Sequence, residues 1–172
     1  MTNKDFFVNT WQSEMKKTLA AVKGMPADTG KWSYKINEKA RSAAAIVGHI
    51  LPHAEVMSNA TETFIADEHT TPLEFNSIEE AAAYWEKWAG SVIEKLNAMD
   101  ESTWNEKIVD FRVDGKSFYQ MPMSSLGWMM MFDIIHHRGQ LTTYYRHMGV
   151  RNPSIYGPTA EDIEAMMAAQ QN

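Results

Sequence analysis

Apolar residues recur at helical spacing along most of the chain, and Gly, Pro, Asn and Asp separate the periodic segments. The pattern predicts four long helices: Lys4 to Val22, Asn37 to Ala66, a third from just after Ser77 to near Asp100, and a fourth from Ser124 to Met148. A short amphipathic helix follows from about Thr159. Because each long helix has an apolar stripe to bury, the predicted fold is an all-α four-helix bundle that occupies 1–172 as a single domain.

A different pattern interrupts the helices between Lys107 and Gln120. Apolar and polar residues alternate over Ile108–Val113, and Asp114-Gly115 is a tight hairpin signal, so a short two-stranded β-hairpin flap is predicted. The first half of the fourth helix, which follows, is apolar nearly all round. Either the flap and the last helix or another subunit must therefore cover its second face.

Composition narrows the function classes. The 172 residues contain no Cys, which excludes disulfides, thiolate metal sites and a protein thiol nucleophile. A net charge of −6 argues against nucleic acid as a partner. No apolar stretch reaches the ~20 residues that a membrane span needs, and the first residues lack the layout of a signal peptide. A soluble, cytoplasmic protein is expected.

The candidate site is built from His49, Asp133 and His137. Asp133 and His137 are four residues apart, so they differ by about 40° in direction and about 6 Å along the helix axis and can bind one ion. They interrupt an apolar stripe, where an unpaired carboxylate is costly and a cation would remove much of that cost. The alternatives are a hydrogen-bonded core histidine and a simple Asp–His salt bridge. His53, four residues after His49, is a further candidate ligand.

Gly48 and Pro52 predict a bend in the second helix. The proline ring collides with the carbonyl of the residue four positions earlier, which here is Gly48. Glycine gives that carbonyl room to tilt, so the bend is expected to free a backbone acceptor beside His49. Either function or packing can favour such a bend.

Arg138 and Gly139, which directly follow the candidate ligand His137, are interpreted as structural residues. Arg138 is interpreted as one half of a helix-surface salt bridge, with substrate recognition as the alternative. Gly139 costs about 1 kcal/mol relative to Ala inside a helix, which favours close packing of a neighbouring helix against it.

A longer motif connects these residues to a known family. The run His136-His137-Arg138-Gly139-Gln140-Leu141 on a late helix, after a helix that contains Gly48-His49-Ile50, resembles the DinB-like (DinB/YfiT-like) superfamily. Trp32-Ser33-Tyr34 and Pro153-Ser154-Ile155-Tyr156-Gly157-Pro158 also look like this family. The similarity covers essentially the whole chain.

The resemblance implies a four-helix bundle, often a homodimer, in which three histidines hold a divalent transition metal (Zn, Ni, Fe or Mn). The ligand of the second helix falls on His49 and the last ligand on His137, whereas the middle ligand falls on Asp133. Either Asp133 completes a two-His-one-carboxylate set, or the site has decayed and Asp133 pairs with a protonated histidine. His53 is able to stand in as a ligand if the bend at Pro52 aims it inward.

Members of the superfamily include thiol-dependent transferases and isomerases, in which the metal activates the thiolate of a small cosubstrate such as mycothiol, bacillithiol or glutathione. The resemblance therefore implies a metal-dependent enzyme that takes a small-molecule substrate and a low-molecular-weight thiol. Gln140 and Tyr144, which follow His137, are the candidate pocket-lining residues. The alternative is a non-catalytic stress-response bundle that dimerises through its fourth helix and binds an apolar ligand.

Overall fold

The computed structural model describes residues 1–170, so the predicted domain extends two residues beyond the described ones. The elements follow in the order α1 (Asn3–Lys23), a 3-10 helix (Thr29–Ser33), α2 (Ala43–Ile50), α3 (Pro52–Thr63), β1 (Ile65–Glu68), α4 (Ile78–Ala98), α5 (Glu101–Glu106), β2 (Ile108–Val113), β3 (Lys116–Pro122), α6 (Met123–Tyr144) and α7 (Ala160–Ala169). Helix α1 packs against α4 and α6, while α2 and α3 together fill the fourth position between α4 and α6. The predicted helical bundle is confirmed.

Local signals explain why α1 and α4 have nearly the predicted limits. Thr2 and Asp5 form a reciprocal capping box at the start of α1. The Ser77 side chain accepts from the backbone N–H of Glu80 at the start of α4. Their apolar stripes meet in the core, where Trp11 and Trp85 lie with ring centroids 6.1 Å apart. Capping and periodicity agree in both helices, so their boundaries are readable from sequence.

The second predicted helix is divided and shorter than expected. It begins at Ala43 behind the Ser42 cap, breaks before Pro52, and ends at Thr63 because Phe64 takes a left-handed conformation with φ of 53°. At the break, the Gly48 carbonyl accepts a hydrogen bond from the Leu73 N–H at 2.9 Å. The structure thus contains both the bend and the released carbonyl that the sequence predicts.

The flap contains a third strand. Strands β2 and β3 form the predicted antiparallel hairpin, in which Asp114 and Gly115 turn with positive φ. Strand β1 pairs in parallel with β2, with Ile65 opposite Asp110. The sequence prediction had assigned Ile65 and Ala66 to the second helix, and that part of the prediction is wrong. A four-residue strand offers too few alternations to be distinguished from a helix end.

Two further boundaries differ from the prediction. Residues Glu101–Glu106 form α5, for which the sequence pattern gives no prediction, and the Asp100 side chain caps it by accepting from the Thr103 N–H at 2.8 Å. Helix α6 ends at Tyr144 rather than at Met148. Gly149, with φ of 79°, closes the turn that follows rather than the helix itself.

The second apolar face of α6 is covered mainly by α1 and α5. A Cβ on Gly127 would lie 2.6 Å from the Trp104 ring and 3.1 Å from Phe7, so only glycine permits this approach. Phe132 remains 60% exposed, and α7 has no buried residue. Within residues 1–170, no helix is both long enough and apolar enough to cross a bilayer.

Two predictions for α6 are wrong. Arg138 is 1% exposed and contacts Glu14, Thr18 and Tyr156, so it belongs to a buried network rather than to a surface salt bridge. A Cβ on Gly139 would meet no atom within 4 Å among the described residues, so no neighbouring helix packs against it. The helical period does not show whether Arg138 or Gly139 faces α1, because that depends on how the helices pack.

Candidate metal centre

Three helical segments bring three donor side chains together. His49 lies near the end of α2, His53 lies in the first turn of α3, and Asp133 faces them from α6. Asp133 Oδ2 is 3.1 Å from His49 Nε2 and 2.8 Å from His53 Nε2. One donor atom from each of the three side chains lies within 4.8 Å of the others. Such spacing allows a single ion to contact all three, since each metal–ligand bond is about 2.0–2.2 Å long.

His137 lies at the edge of this group. Its Nε2 is 3.6 Å from Asp133 Oδ1, and its ring centroid is 4.8 Å from that of His49. Its Nδ1–H donates to Gln140 Oε1 at 2.8 Å, while Arg41 donates to its Nε2 at 3.3 Å. These partners select the neutral tautomer that carries its proton on Nδ1, with the Nε2 lone pair accepting from Arg41.

His53 lies between two carboxylates. Glu68 Oε1 is 3.3 Å from its Nδ1, and Asp133 Oδ2 is 2.8 Å from its Nε2. A neutral imidazole carries one N–H and a carboxylate only accepts, so neutral His53 can satisfy only one of the two contacts. A cation on the Asp133 side, either a proton or a metal ion, removes the conflict. The residues therefore fit a metal ion, with Glu68 orienting the His53 ring from behind.

Burial and charge set the protonation of the centre. Burial raises the pKa of the Asp133 carboxyl, but hydrogen bonds from His49 and His53, together with the charge of His53, outweigh it and hold that pKa well below its usual range. Burial also lowers the pKa of His137. Asp133 is consequently ionised, which is the state that a metal ligand requires.

Comparison with known proteins identifies the family of the chain. The DinB family model matches residues 1–171. The chain belongs to the DinB family. The uncharacterized protein YrdA of Bacillus subtilis (strain 168) is 24% identical over 159 residues, which cover 92% of this chain and 90% of YrdA.

Two solved structures share the fold of this DinB protein. The DinB-like protein YjoA from Bacillus subtilis superposes with a TM-score of 0.65 at 20% identity, covering 89% of this chain and 99% of YjoA. A DinB-like protein from Bacillus cereus ATCC 10987 has a TM-score of 0.69 at 22% identity, covering 87% and 95%. The family and fold that the His-His-Arg-Gly-Gln-Leu motif indicated are therefore confirmed.

Two cavities flank the centre of this DinB protein. The larger, of about 620 Å³, has His49 and His53 in its wall and extends along α3, β1 and residues 71–74. The smaller, of about 450 Å³, includes Asp133 together with Phe111, Met129 and Phe132. His49 and Glu68 border both cavities, so both cavities reach the centre, and the smaller cavity has the more apolar wall.

The remaining predicted site residues lie around the centre rather than in these cavities. Gln140 contacts the centre through His137 and also donates to His136 at 3.0 Å. Tyr144 is buried against Tyr34 and donates to the Arg41 carbonyl at 3.2 Å. Neither residue lines the two cavities beside the centre.

Sequence reasoning missed two residues of the site. Glu68 approaches His53 because β1 pairs with β2 and follows directly after α3, and neither feature is visible in the periodicity. Arg41 approaches His137 from the irregular segment before α2. The contact between Glu68 and His53 Nδ1 is therefore visible in the structure and not in the sequence.

Proposed function

We propose that this DinB-family protein is a metal-dependent enzyme whose divalent transition ion (Zn, Ni, Fe or Mn) is held by His49, His53 and Asp133. The proposal is supported by one observation above all: three donor atoms converge while the far nitrogen of His53 faces a carboxylate. Ligating histidines characteristically present their other nitrogen to a carboxylate or carbonyl oxygen. His137, whose Nδ1 donates to Gln140, is a further candidate ligand.

The donor set agrees with these metals. Two imidazoles and one carboxylate with open positions suit iron, manganese, zinc or nickel, and the carboxylate makes the set harder than three imidazoles. Relative to the sequence prediction, His53 joins the group and His137 moves to its edge. The bend at Pro52 supports a ligand role for His53. Helix α3 begins at the bend, and His53 in its first turn is directed at Asp133.

The reaction we propose is thiol-dependent transfer to a small-molecule substrate. A bound ion of this kind supplies Lewis acidity and lowers the pKa of a thiol or water that it binds. The chain has no cysteine, so a low-molecular-weight thiol must enter as cosubstrate. Glu68 and Gln140 hold the imidazole rings, and the Arg41 guanidinium adds a positive charge beside His137.

Cobalt(II) loading tests whether the metal centre binds a thiol, which the proposed reaction requires. Addition of glutathione, cysteine or bacillithiol to the cobalt protein is expected to produce a thiolate-to-cobalt charge-transfer band in the near ultraviolet for at least one thiol. Asp133→Ala should lose both the cobalt spectrum and the band, while His147→Ala, which changes an exposed histidine stacked on Tyr34, should keep them. Absence of the band with every thiol would refute thiol dependence but leave metal binding intact.

A second candidate function is a non-catalytic ligand-binding bundle. It is favoured by the hydrogen bonds that Asp133 already receives from His49 and His53, since protonated histidines alone can satisfy that carboxylate. The two functions differ in their response to chelation. A metal enzyme should show a lower Tm after treatment with EDTA, recovered by added metal, whereas a metal-free bundle should show no change.

The enzyme is further proposed to be a homodimer that associates through α6. Phe6, Trp128 and Phe132 form a surface ladder with ring centroids 5.7 and 5.6 Å apart, and Phe132 is 60% exposed. Phe132→Glu is expected to convert the dimer to a monomer, because a charge would be buried without a partner. Met166→Glu, a matched change on α7, should leave the dimer intact. Light scattering after size exclusion measures both, and a monomeric wild type would contradict the proposal.

A further inference from the structure

The larger cavity is lined by several acidic side chains. Five carboxylates line it: Glu55, Asp67, Glu68, Glu74 and Asp114. None of the described lining residues is Lys or Arg. Within residues 1–170, no Lys or Arg forms an ion pair with any of the five. A concave, low-dielectric wall of one sign focuses the field and concentrates ions of opposite charge.

Hydrogen bonds position three of these carboxylates, and two of the five face a histidine: Glu68 lies 3.3 Å from His53 Nδ1 and Asp114 lies 3.4 Å from His69 Nδ1. Glu55 accepts from the Tyr84 hydroxyl, and both burial and Glu55 raise the pKa of that hydroxyl, so it stays a neutral donor. Asp67 accepts from the Gly115 N–H at 3.0 Å, and Asp114 accepts from the Thr70 hydroxyl at 2.6 Å. The cavity wall therefore carries more carboxylates than histidines, and hydrogen bonds hold Glu55, Asp67 and Asp114 in place.

The carboxylates are spread out rather than focused on a point. Among the described residues, the group with metal-ligand spacing is His49, His53 and Asp133, and it includes none of the five. A second metal ion would need several of these oxygens within a few ångströms of one another. An extended cation, with one end among the carboxylates and the rest along the wall, matches the arrangement better. Apolar side chains such as Val56, Ile65 and Leu73 supply that wall.

We propose that the substrate of the metal centre is a small organic cation, of the alkylammonium class, bound in the cavity beside His49 and His53. This inference rests on the proposed function, since it names the substrate that the metal centre would act on. The ammonium group lies among the carboxylates and the alkyl part lies along Val56, Ile65 and Leu73. The centre itself takes no part in recognising the charge.

Binding of four six-carbon probes tests the inference. Hexylammonium, hexyltrimethylammonium, hexan-1-ol and hexanoate share one chain and differ in charge, and the quaternary ammonium cannot ligate a metal. Titration by ligand-observed NMR on the full-length protein, with and without metal, is expected to give Kd values about tenfold lower for both cations than for the alcohol. Hexanoate should bind least in the metal-free sample.

Charge variants test whether the carboxylates cause the preference. Glu55→Gln/Glu74→Gln removes two charges and leaves Glu68, the partner of His53, unchanged. Glu38→Gln/Glu94→Gln removes two charges from exposed positions outside the cavity, so it matches the change in net charge. The first pair should remove most of the cation preference, and the second should retain it.

The outcomes separate the inference from the proposed function. Metal content is measured on the same samples. A stoichiometric metal with no cation preference, or with a preference that Glu55→Gln/Glu74→Gln does not reduce, overturns the inference and leaves the metal centre standing. Absence of metal overturns the proposed function, and with it the role of the cation as a substrate. Metal together with a carboxylate-dependent cation preference supports both.

Discussion

Glu14→Ala is expected to lower the free energy of unfolding by about 3–5 kcal/mol, the usual cost of leaving a buried ion without its partner. Arg138 is 1% exposed, and its Nη2 donates to Glu14 Oε2 at 2.5 Å. Its Nη1 reaches only a hydroxyl, Thr18 Oγ1, and the Glu14 carbonyl. Removal of Glu14 would thus leave a guanidinium without a carboxylate partner in the core, and urea denaturation monitored by circular dichroism measures the cost.

Two variants make the Glu14 result specific. Glu94→Ala removes an exposed glutamate from α4 and is expected to change stability by less than about 0.5 kcal/mol. Glu14→Leu/Arg138→Met removes both charges, so it should recover most of the loss seen in Glu14→Ala. A Glu14→Ala protein as stable as the wild type would show that the network contributes little.

Gly48→Ala is expected to cost about 1–3 kcal/mol and to release residues 71–75 from α2. A Cβ on Gly48 would lie 1.9 Å from the Leu73 carbonyl oxygen and 2.9 Å from its carbonyl carbon. Because these are backbone atoms, the segment must move, and the hydrogen bond from Leu73 N–H to the Gly48 carbonyl must lengthen or break. Hydrogen exchange at Leu73 reports that release, and the larger cavity would lose part of its wall.

Gly139→Ala is the matched control. It adds the same methyl group to a helix, but no described atom beyond the adjoining residues and backbone of α6 lies within 4 Å of the new Cβ. The variant should gain about 1 kcal/mol from helix propensity. If Gly48→Ala keeps wild-type stability and a protected Leu73 amide, then the contact between α2 and residues 71–75 does not constrain the site.

The parts of the fold that were predictable are those in which local signals agree. Helices α1 and α4 have a side-chain cap, an apolar stripe and a defined end, and their limits follow from sequence. Pro52 and Gly48 predicted the bend because the clash between proline and the preceding turn is itself local. The His-His-Arg-Gly-Gln-Leu motif identified the family, which carried the bundle topology with it.

The parts that were not predictable depend on distant partners. Strand β1 exists because β2 lies beside it, more than forty residues later in the chain: Ile65 pairs with Asp110. Arg138 is buried because Glu14, 124 residues away, supplies its carboxylate. Periodicity gives the face of a helix but not which residue of another element meets it.

The candidate site contains residues that the sequence predicted and residues that it did not. The spacing of Asp133 and His137 and the family motif pointed to α6, and His49 was found on the facing helix. His53 was conditional on the bend, and the structure places it 2.8 Å from Asp133. Glu68 escaped detection because its position depends on β1.

Elemental analysis of the purified, tag-free protein after saturation with metal and gel filtration tests the central claim most directly. The account predicts about one transition-metal ion per chain in the wild type and in His147→Ala, and a small fraction of that in Asp133→Ala and His53→Ala. Glu68→Gln should still bind metal but with an affinity about 10–100-fold lower, because its role is to orient His53. A wild type that retains no metal, or an Asp133→Ala protein that retains a full equivalent, would contradict the account.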